Sequence, residues 1–590
     1  MCACKLCLWF CASCSTRCFL TFLDPFPISS SFKASPYKQA GFSPSLSLSV
    51  INRSDIIQVM KKAKFWVILT LAIITIVVFV VFIFPNKAAS KDRAMVNIFQ
   101  PDEFATWTVV ARMTSPKPDR PSFLQHYFLY NFYHYGFPYF SISSLPVFFI
   151  RWANQFNNMP FVMVSLRQFV SVLPSLIALL ILVYMQDQFS SYKSILLYIT
   201  LLSIPAVVNN NMWWHPDGLC LLFSALTLFF LWKDEQKFGK YFYIAAIFAG
   251  ILTATKLIGV FFLVSIIPIL FSQLKTKKWR FVEAVGHWTI FALIMAISFV
   301  ISNPFLFTME GISEYARTLY SEISGVSAGY NLVYKKGIAA AWAGIQPAYG
   351  KLPFFMALVF SFFLGFRDKS KRKLTTLLLS WFLPLTFTVL FTTHFKYQYW
   401  LPAAIPAFSM LYLLIPDKTT WKEEKIWLKI PHVFFMVLVV LQVSFFTVQN
   451  VHSVKAQIQR EETSESIHYY HEAIRVLEPT RADELHVYYD YRVYIPYDSS
   501  PWHLHTEFDM LDYPHIRENN YEILLLMNQR VIDYLNPDAT GVNDDKLETA
   551  RLFYSDVRDN KIEGYVLVYE DEFGKVFVRN DLYEIHFDLP

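Results

Sequence analysis

The chain has 590 residues, 54% hydrophobic and 18% aromatic, with 17% charged and a mean hydropathy of +0.34. That excludes an ordinary soluble domain and fits a polytopic membrane protein. The formal net charge of +6 hides a split: residues 451–590 hold 13 Lys+Arg against 28 Asp+Glu, net −15, leaving +21 on residues 1–450. A membrane part with basic loops and an acidic soluble tail would divide charge this way. A nucleic-acid partner would not, because the basic residues are scattered through short loops between apolar runs.

Six of the seven cysteines lie in "MCACKLCLWFCASCSTRC" at the start, and the seventh is Cys220. Their spacings match no standard pair of metal-ligand pairs. Residues 1–59 are rich in Ser and Pro and lack helical periodicity. Met60 then opens "MKKAKFWVILTLAIITIVVFVVFIF", a basic start running into an apolar stretch. Residues 1–59 are read as a dispensable or non-native leader and set aside from fold reasoning.

Apolar runs of membrane-spanning character follow near 65–84, 161–185, 191–208, 215–232, 241–255, 257–271, 285–305, 353–366, 374–392, 400–415 and 431–448. Eleven spans put the two ends on opposite sides, although one bent helix over 241–271 also fits. Lys61, Lys62 and Lys64 precede the first run, and "KDEQKFGK", "KTKKWR", "RDKSKRK" and "DKTTWKEEK" fall on the same face. Basic residues near span ends mark the cytoplasmic side. The loops 85–160 and 306–352 and the tail from about 450 are therefore expected outside.

Two outer segments, "FPYFSISSLPVFFIRWANQF" and "MEGISEYARTLYSEI", mix aromatics with sparse charge and suit helices lying in the membrane interface. The tail alternates "ELHVYYDYRVYI", "YEILLLMN" and "YVLVYEDEFGKVFVRN" with helical stretches, predicting a small α/β domain with a hairpin around "DEFG". The predicted organisation is a leader over 1–59, a mainly α transmembrane core over 60–450, and a soluble α/β domain over 451–590.

Ionisable residues near membrane depth are costly and point to function. They cluster at the outward ends of spans: Asp102 and Glu103 in "QPDEFATW", His215 and Asp217 in "WWHPDG", Lys256 in "TATKLIG", and His394, Lys396, Tyr397 and Tyr399 in "THFKYQYWLP", with Arg167 inside the second span. Each has a plainer reading. "PDE" and "HPD" are ordinary helix starts. Lys256 can snorkel to headgroups, "KYQYW" can be an aromatic belt, and Arg167 can pair with a carboxylate. Their joint appearance on one face argues against all of these being incidental.

The order of an acidic pair in the first outer loop, "HPD", "TK", "NPFLF" and a basic–Tyr–"LP" run resembles the GT-C superfamily of membrane glycosyltransferases. Within it, the similarity is to the family 39 group of protein O-mannosyltransferases and lipid A aminoarabinose transferases. The resemblance covers roughly residues 60–450. No tract resembles a beta-trefoil insert, which favours a bacterial-type enzyme in the plasma membrane. It implies transfer of a hexosyl or pentosyl group from a polyprenyl-phosphate carrier to a hydroxyl of a lipid, glycan or protein outside the membrane. Such a reaction needs a cation for the phosphate and a carboxylate to activate the acceptor. Lys256, with Lys396 and Arg167 behind it, is the expected phosphate ligand; His215, Asp217, Tyr397 and Tyr399 complete the binding set.

Either Asp102 or Glu103 could be the base. Neighbours on a helix diverge by about 100° and do not readily serve one atom together, and Asp102, fixed beside Pro101, is the preferred one. No cofactor is certain, and a divalent metal is left open. The rival readings are a transporter or flippase of lipid-linked substrates and a non-catalytic assembly subunit. Against the transporter stand the absence of visible repeat symmetry and the one-sided charges.

Overall fold

The computed structural model describes residues 53–116, 121–275, 280–328, 338–391, 396–416, 426–496, 501–507, 510–537 and 544–587. Gln58–Pro590 forms one compact unit; of the preceding Met1–Ile57, only residues 53–57 are described, and the leader reading otherwise lies outside the described residues. The first helix, Arg53–Val81, begins ahead of Met60.

All eleven apolar runs are helical, but they are not eleven equal spans. Among the described residues, six helices are long and apolar enough to cross a membrane: Lys62–Lys87, Met159–Asp187, Leu257–Leu274, Phe281–Ile301, Arg372–Phe391 and Ile426–Gln459. A seventh arises if Ile338–Tyr349 and Leu352–Arg367, bent by 83°, form one span. The remaining runs fall short for local reasons. Pro205 cannot continue a helix, so 191–208 divides into Lys193–Ser203 and Pro205–Asn210. The run at 400–415 is Leu401–Phe408 followed by a tighter turn, Ser409–Leu414. Asp217–Asp234 is buried along most of its length, including Leu219, Cys220, Leu221 and Leu228. A helix enclosed by others can be buried inside a membrane bundle as well as inside a soluble core, and it is the charged ends, Asp217, Lys233 and Asp234, that keep this one out of the six. The uncertain stretch at 241–271 is two units: Lys240–Thr255 ends at Lys256, which is extended (φ −157°, ψ 134°), and a short tight helix, Leu257–Phe261, follows.

Met159–Asp187 contains a wide π turn at Arg167–Val172, just before Pro174. Proline lacks the amide that the regular ladder needs, and a π turn absorbs such an interruption. Of the two expected interface helices, Met309–Ala328 exposes Met309, Ile312 and Tyr320. Phe137–Trp152 exposes Phe149 and Trp152 but buries Tyr139, Phe140 and Val147, so it is half in the core.

The C-terminal domain is α/β. Strands β1 (His486–Tyr489), β2 (His503–His505), β3 (Ile523–Met527), β4 (Tyr565–Glu570) and β5 (Gly574–Arg579) form one sheet in the order β2-β1-β3-β5-β4. β1 runs parallel to β2 and β3, while β3–β5 and β5–β4 are antiparallel. The β4–β5 hairpin closes over Asp571, whose side chain accepts from the Phe573 and Gly574 amides at 2.8 Å. Alternate residues serve opposite faces, as strand geometry requires. Tyr488, Leu524, Leu526 and Phe577 pack under Asn528–Leu535 and Asp544–Arg558. Val487, Ile523, Leu525 and Val576 pack on the other face with Tyr469 and Ala473 of Glu465–Val476.

That second face also holds Ala94, Met95 and Ile98, from the helix Arg93–Phe99 in the first outer loop. Two polar contacts reinforce the joint: Tyr494 donates to Asp92 Oδ2 at 2.8 Å, and Asn97 Nδ2 donates to the Tyr491 carbonyl at 3.2 Å. The tail core thus incorporates the segment that leads into Asp102.

Candidate functional site

Helix Pro101–Met113 places proline at its first position, where the missing amide costs nothing, and two acids in its first turn. The acids part company at once. Glu103 is fully buried and takes a two-pronged ion pair from Arg167, Nε to Oε1 at 2.9 Å and Nη2 to Oε2 at 2.5 Å. Its Oε1 also accepts the Trp214 amide at 2.7 Å. Arg167 Nη1 donates to the Asn86 carbonyl at 2.9 Å. One buried pair therefore ties the end of the first long helix, the acidic turn, the π turn and the strip before "HPD". Asp102 instead leaves 43% of its side chain exposed, with Lys396 Nζ 4.0 Å away.

A second network runs through the start of Asp217–Asp234. His215 Nδ1 lies 2.5 Å from Asp217 Oδ2, and its Nε2 lies 2.7 Å from the Tyr135 hydroxyl. A carboxylate only accepts, so Nδ1 donates to Asp217, and Nε2 is left to share a hydrogen bond with the Tyr135 hydroxyl. Trp213 stacks on the imidazole, centroids 4.1 Å apart and planes 20° off parallel. Asp217 Oδ1 accepts from Lys256 Nζ at 2.9 Å, and that ammonium sits 4.4 Å from the centre of the Tyr399 ring. Lys256 can reach this place because the helix stops at Thr255.

The stop is fixed by close backbone packing. The Gly136 amide donates to the Thr255 carbonyl at 3.2 Å, and a Cβ on Gly136 would fall 1.5 Å from the Ala254 carbonyl oxygen. Only glycine fits there. Asn303, which opens "NPFLF", accepts the next amide, Phe137, at 3.0 Å. "TK" and "NPFLF" thus meet on the Gly136–Phe137 turn.

Both networks border a cavity of about 2030 Å3. Asp102, His215, Lys256, Lys396, Tyr397 and Tyr399 line it; Glu103, Arg167 and Asp217 stand behind the wall. Tyr397 is held by its carbonyl, which accepts from the Tyr349 hydroxyl at 2.7 Å. Sequence reasoning missed Tyr135, Trp213 and Gly136, although a glycine ahead of Phe-Pro in "YHYGFPY" is a visible turn signal. It also missed Arg460, Arg492 and Arg530, which reach the same cavity from beyond the last long helix. Those three carry no local motif.

Among the described residues, no group of three or more His, Cys, Asp or Glu could hold a divalent ion. Asp102 already faces an ammonium, and Asp217 is shared between His215 and Lys256.

No protein-family model matches the chain, and a search of curated proteins also finds no match. Solved structures do resemble it. ArnT from Cupriavidus metallidurans bound to undecaprenyl phosphate aligns over 87% of this chain and 98% of its own, with 12% identity and a TM-score of 0.51. Its apo state aligns over 86% and 97%, with 10% identity and a TM-score of 0.49. The apo oligosaccharyltransferase of Archaeoglobus fulgidus aligns over 88% and 75%, with 10% identity and a TM-score of 0.46. The first likeness is one of fold: the chain shares the many-helix fold of that ArnT structure, has six helices among the described residues long and apolar enough to cross a membrane, and carries a small C-terminal sheet domain.

Proposed function

We propose that this chain is a membrane glycosyltransferase that takes a sugar from a polyprenyl-phosphate carrier and passes it, with inversion, to an acceptor hydroxyl on the outer face of a bacterial plasma membrane. The observation that carries this reading is the pairing, on one large cavity, of a half-exposed carboxylate, Asp102, with the ammonium groups of Lys256 and Lys396. A GT-C relative whose structure holds undecaprenyl phosphate adds support, since that lipid is the product such a donor would leave.

Asp102 is the base. Its carboxylate takes the proton of the acceptor hydroxyl as that oxygen attacks the anomeric carbon. The bond from carbon to phosphate oxygen breaks on the opposite face, and the electron pair leaves with the phosphate. A positioned base of this kind is worth about 100- to 10,000-fold in rate. Lys256 receives the phosphate: one of its three N–H bonds goes to Asp217, and the others remain for oxygen ligands. Tyr399 beneath the ammonium and the His215–Asp217 pair behind it fix its position. Glu103 and Arg167 hold the wall and do not touch substrate. The soluble domain faces outward with Asp102, because its core includes the helix that precedes it.

The test is turnover. Full-length protein in detergent, given a small panel of polyprenyl-phosphate sugars and hydroxyl acceptors, should release polyprenyl phosphate. Movement of intact donor across vesicles without any release would instead establish the transporter.

A further inference from the structure

The cations in and behind the cavity divide into two sorts. Arg167 has Glu103, Lys256 has Asp217, Lys396 has Asp102, and Arg530 has Asp490 at 3.6 Å. Arg460 and Arg492 line the same cavity, and among the described residues neither forms an ion pair with a carboxylate. Arg460 makes do with the Phe99 carbonyl, 3.1 Å from Nη2, and with the Phe99 ring, 4.6 Å from its guanidinium carbon. Arg492 lies 5.4 Å from the ring of Tyr491. Burial and the charge of Arg167, with a smaller part from Arg492, outweigh the opposing charge of Glu103 and hold the Arg460 guanidinium below its usual pKa.

This deficit occurs in the part of the chain richest in acids, net −15 over residues 451–590. Carboxylates are abundant there, yet among the described residues none forms an ion pair with these two groups. Guanidinium groups on a shared cavity wall are standard chemistry for an oxyanion, which their planar forks bind by paired hydrogen bonds.

We infer that Arg460 and Arg492 form a second anion subsite, which takes a phosphate or carboxylate borne by the acceptor. This rests on the transferase reading above. The position favours the acceptor over the donor. Arg460 follows the last residue of the helix Ile426–Gln459, and Arg492 follows β1 in the soluble domain. A lipid carrier, by contrast, brings its phosphate in from the membrane part, where Lys256 waits at the end of Lys240–Thr255.

Calorimetric titration of the full-length protein in detergent tests this with two probes, pyrophosphate for the new subsite and undecaprenyl phosphate for the carrier. Both should bind at once to the unaltered protein. Arg492→Met should weaken pyrophosphate about tenfold or more and leave undecaprenyl phosphate within about twofold, while Lys256→Ala should do the reverse. Arg492→Lys, which keeps the charge, should recover part of the loss, and an unchanged melting temperature in each variant separates binding from folding. The subsite is refuted if pyrophosphate does not bind the unaltered protein, or if Arg492→Met leaves its affinity unchanged. It is equally refuted if the probes compete and Arg492→Met weakens both, for the arginines then serve the carrier. Any of these outcomes leaves donor turnover, and so the transferase reading, to stand or fall separately.

Discussion

Asp102 and Glu103 are neighbours in sequence and opposites in structure. Glu103 is sealed, charge-paired and hydrogen-bonded on both oxygens. Asp102 stands in a cavity with a single ammonium at the edge of ion-pair range. The same contrast separates the two walls of the site: His215–Asp217–Lys256 is a closed chain of short contacts, whereas Lys396 and Asp102 are each about two-fifths exposed. Closed networks hold backbone segments in place; an acid that must accept a proton from a substrate has to stay open to it.

The largest effect should come from the open side. Asp102→Asn should lower turnover about 100- to 10,000-fold while donor affinity and melting temperature stay near those of the unaltered protein. Equal turnover in the two proteins would erase the distinction between the acids. Glu103→Gln should act on folding, because it leaves the Arg167 guanidinium buried without its counter-charge, at a cost of about 3–5 kcal/mol in denaturant unfolding. Glu103→Leu with Arg167→Met should recover much of that loss, and a cycle without coupling would show the pair to be idle.

On the other wall, Lys256→Ala should weaken binding of a polyprenyl-phosphate sugar by about 1.5–3 kcal/mol, roughly 10- to 150-fold, as expected for one charge-assisted contact. Unchanged affinity in a well-folded variant would make Lys256 only the partner of Asp217. The smallest effect should be at the joint between tail and loop. Tyr494→Phe removes the hydrogen bond to Asp92 and should cost about 0.5–1.5 kcal/mol in thermal unfolding. A matching fall in turnover would show that the tail also sets the attitude of the Asp102 turn.

Much of this could be read from local pattern. The eleven apolar runs are helices, the tail is α/β, and the hairpin closes at "DEFG", because periodicity and turn chemistry are short-range signals. The angular argument required Asp102 and Glu103 to diverge, but it could not say which turned inward. That depends on Arg167, 64 residues away along the chain. Length and composition mark only six of the runs as crossing helices among the described residues, because a run such as Asp217–Asp234 is enclosed by its neighbours and charged at both ends, which an apolar stretch alone does not reveal. Strand β2 has only three residues and carries no alternation to detect. Least visible was the union of Ala94, Met95 and Ile98 with the tail, since contacts across nearly the whole chain leave no trace in composition or spacing.

The claim that Asp102 is the base can be tested with a nucleophile that needs none. Azide is already an anion, so it has no proton for Asp102 to remove. Full-length Asp102→Asn protein, loaded with a polyprenyl-phosphate sugar, should transfer almost nothing to a hydroxyl acceptor yet form glycosyl azide when azide is added. Transfer to the hydroxyl at the rate of the unaltered protein would contradict the account, and so would bound donor that yields no azide product.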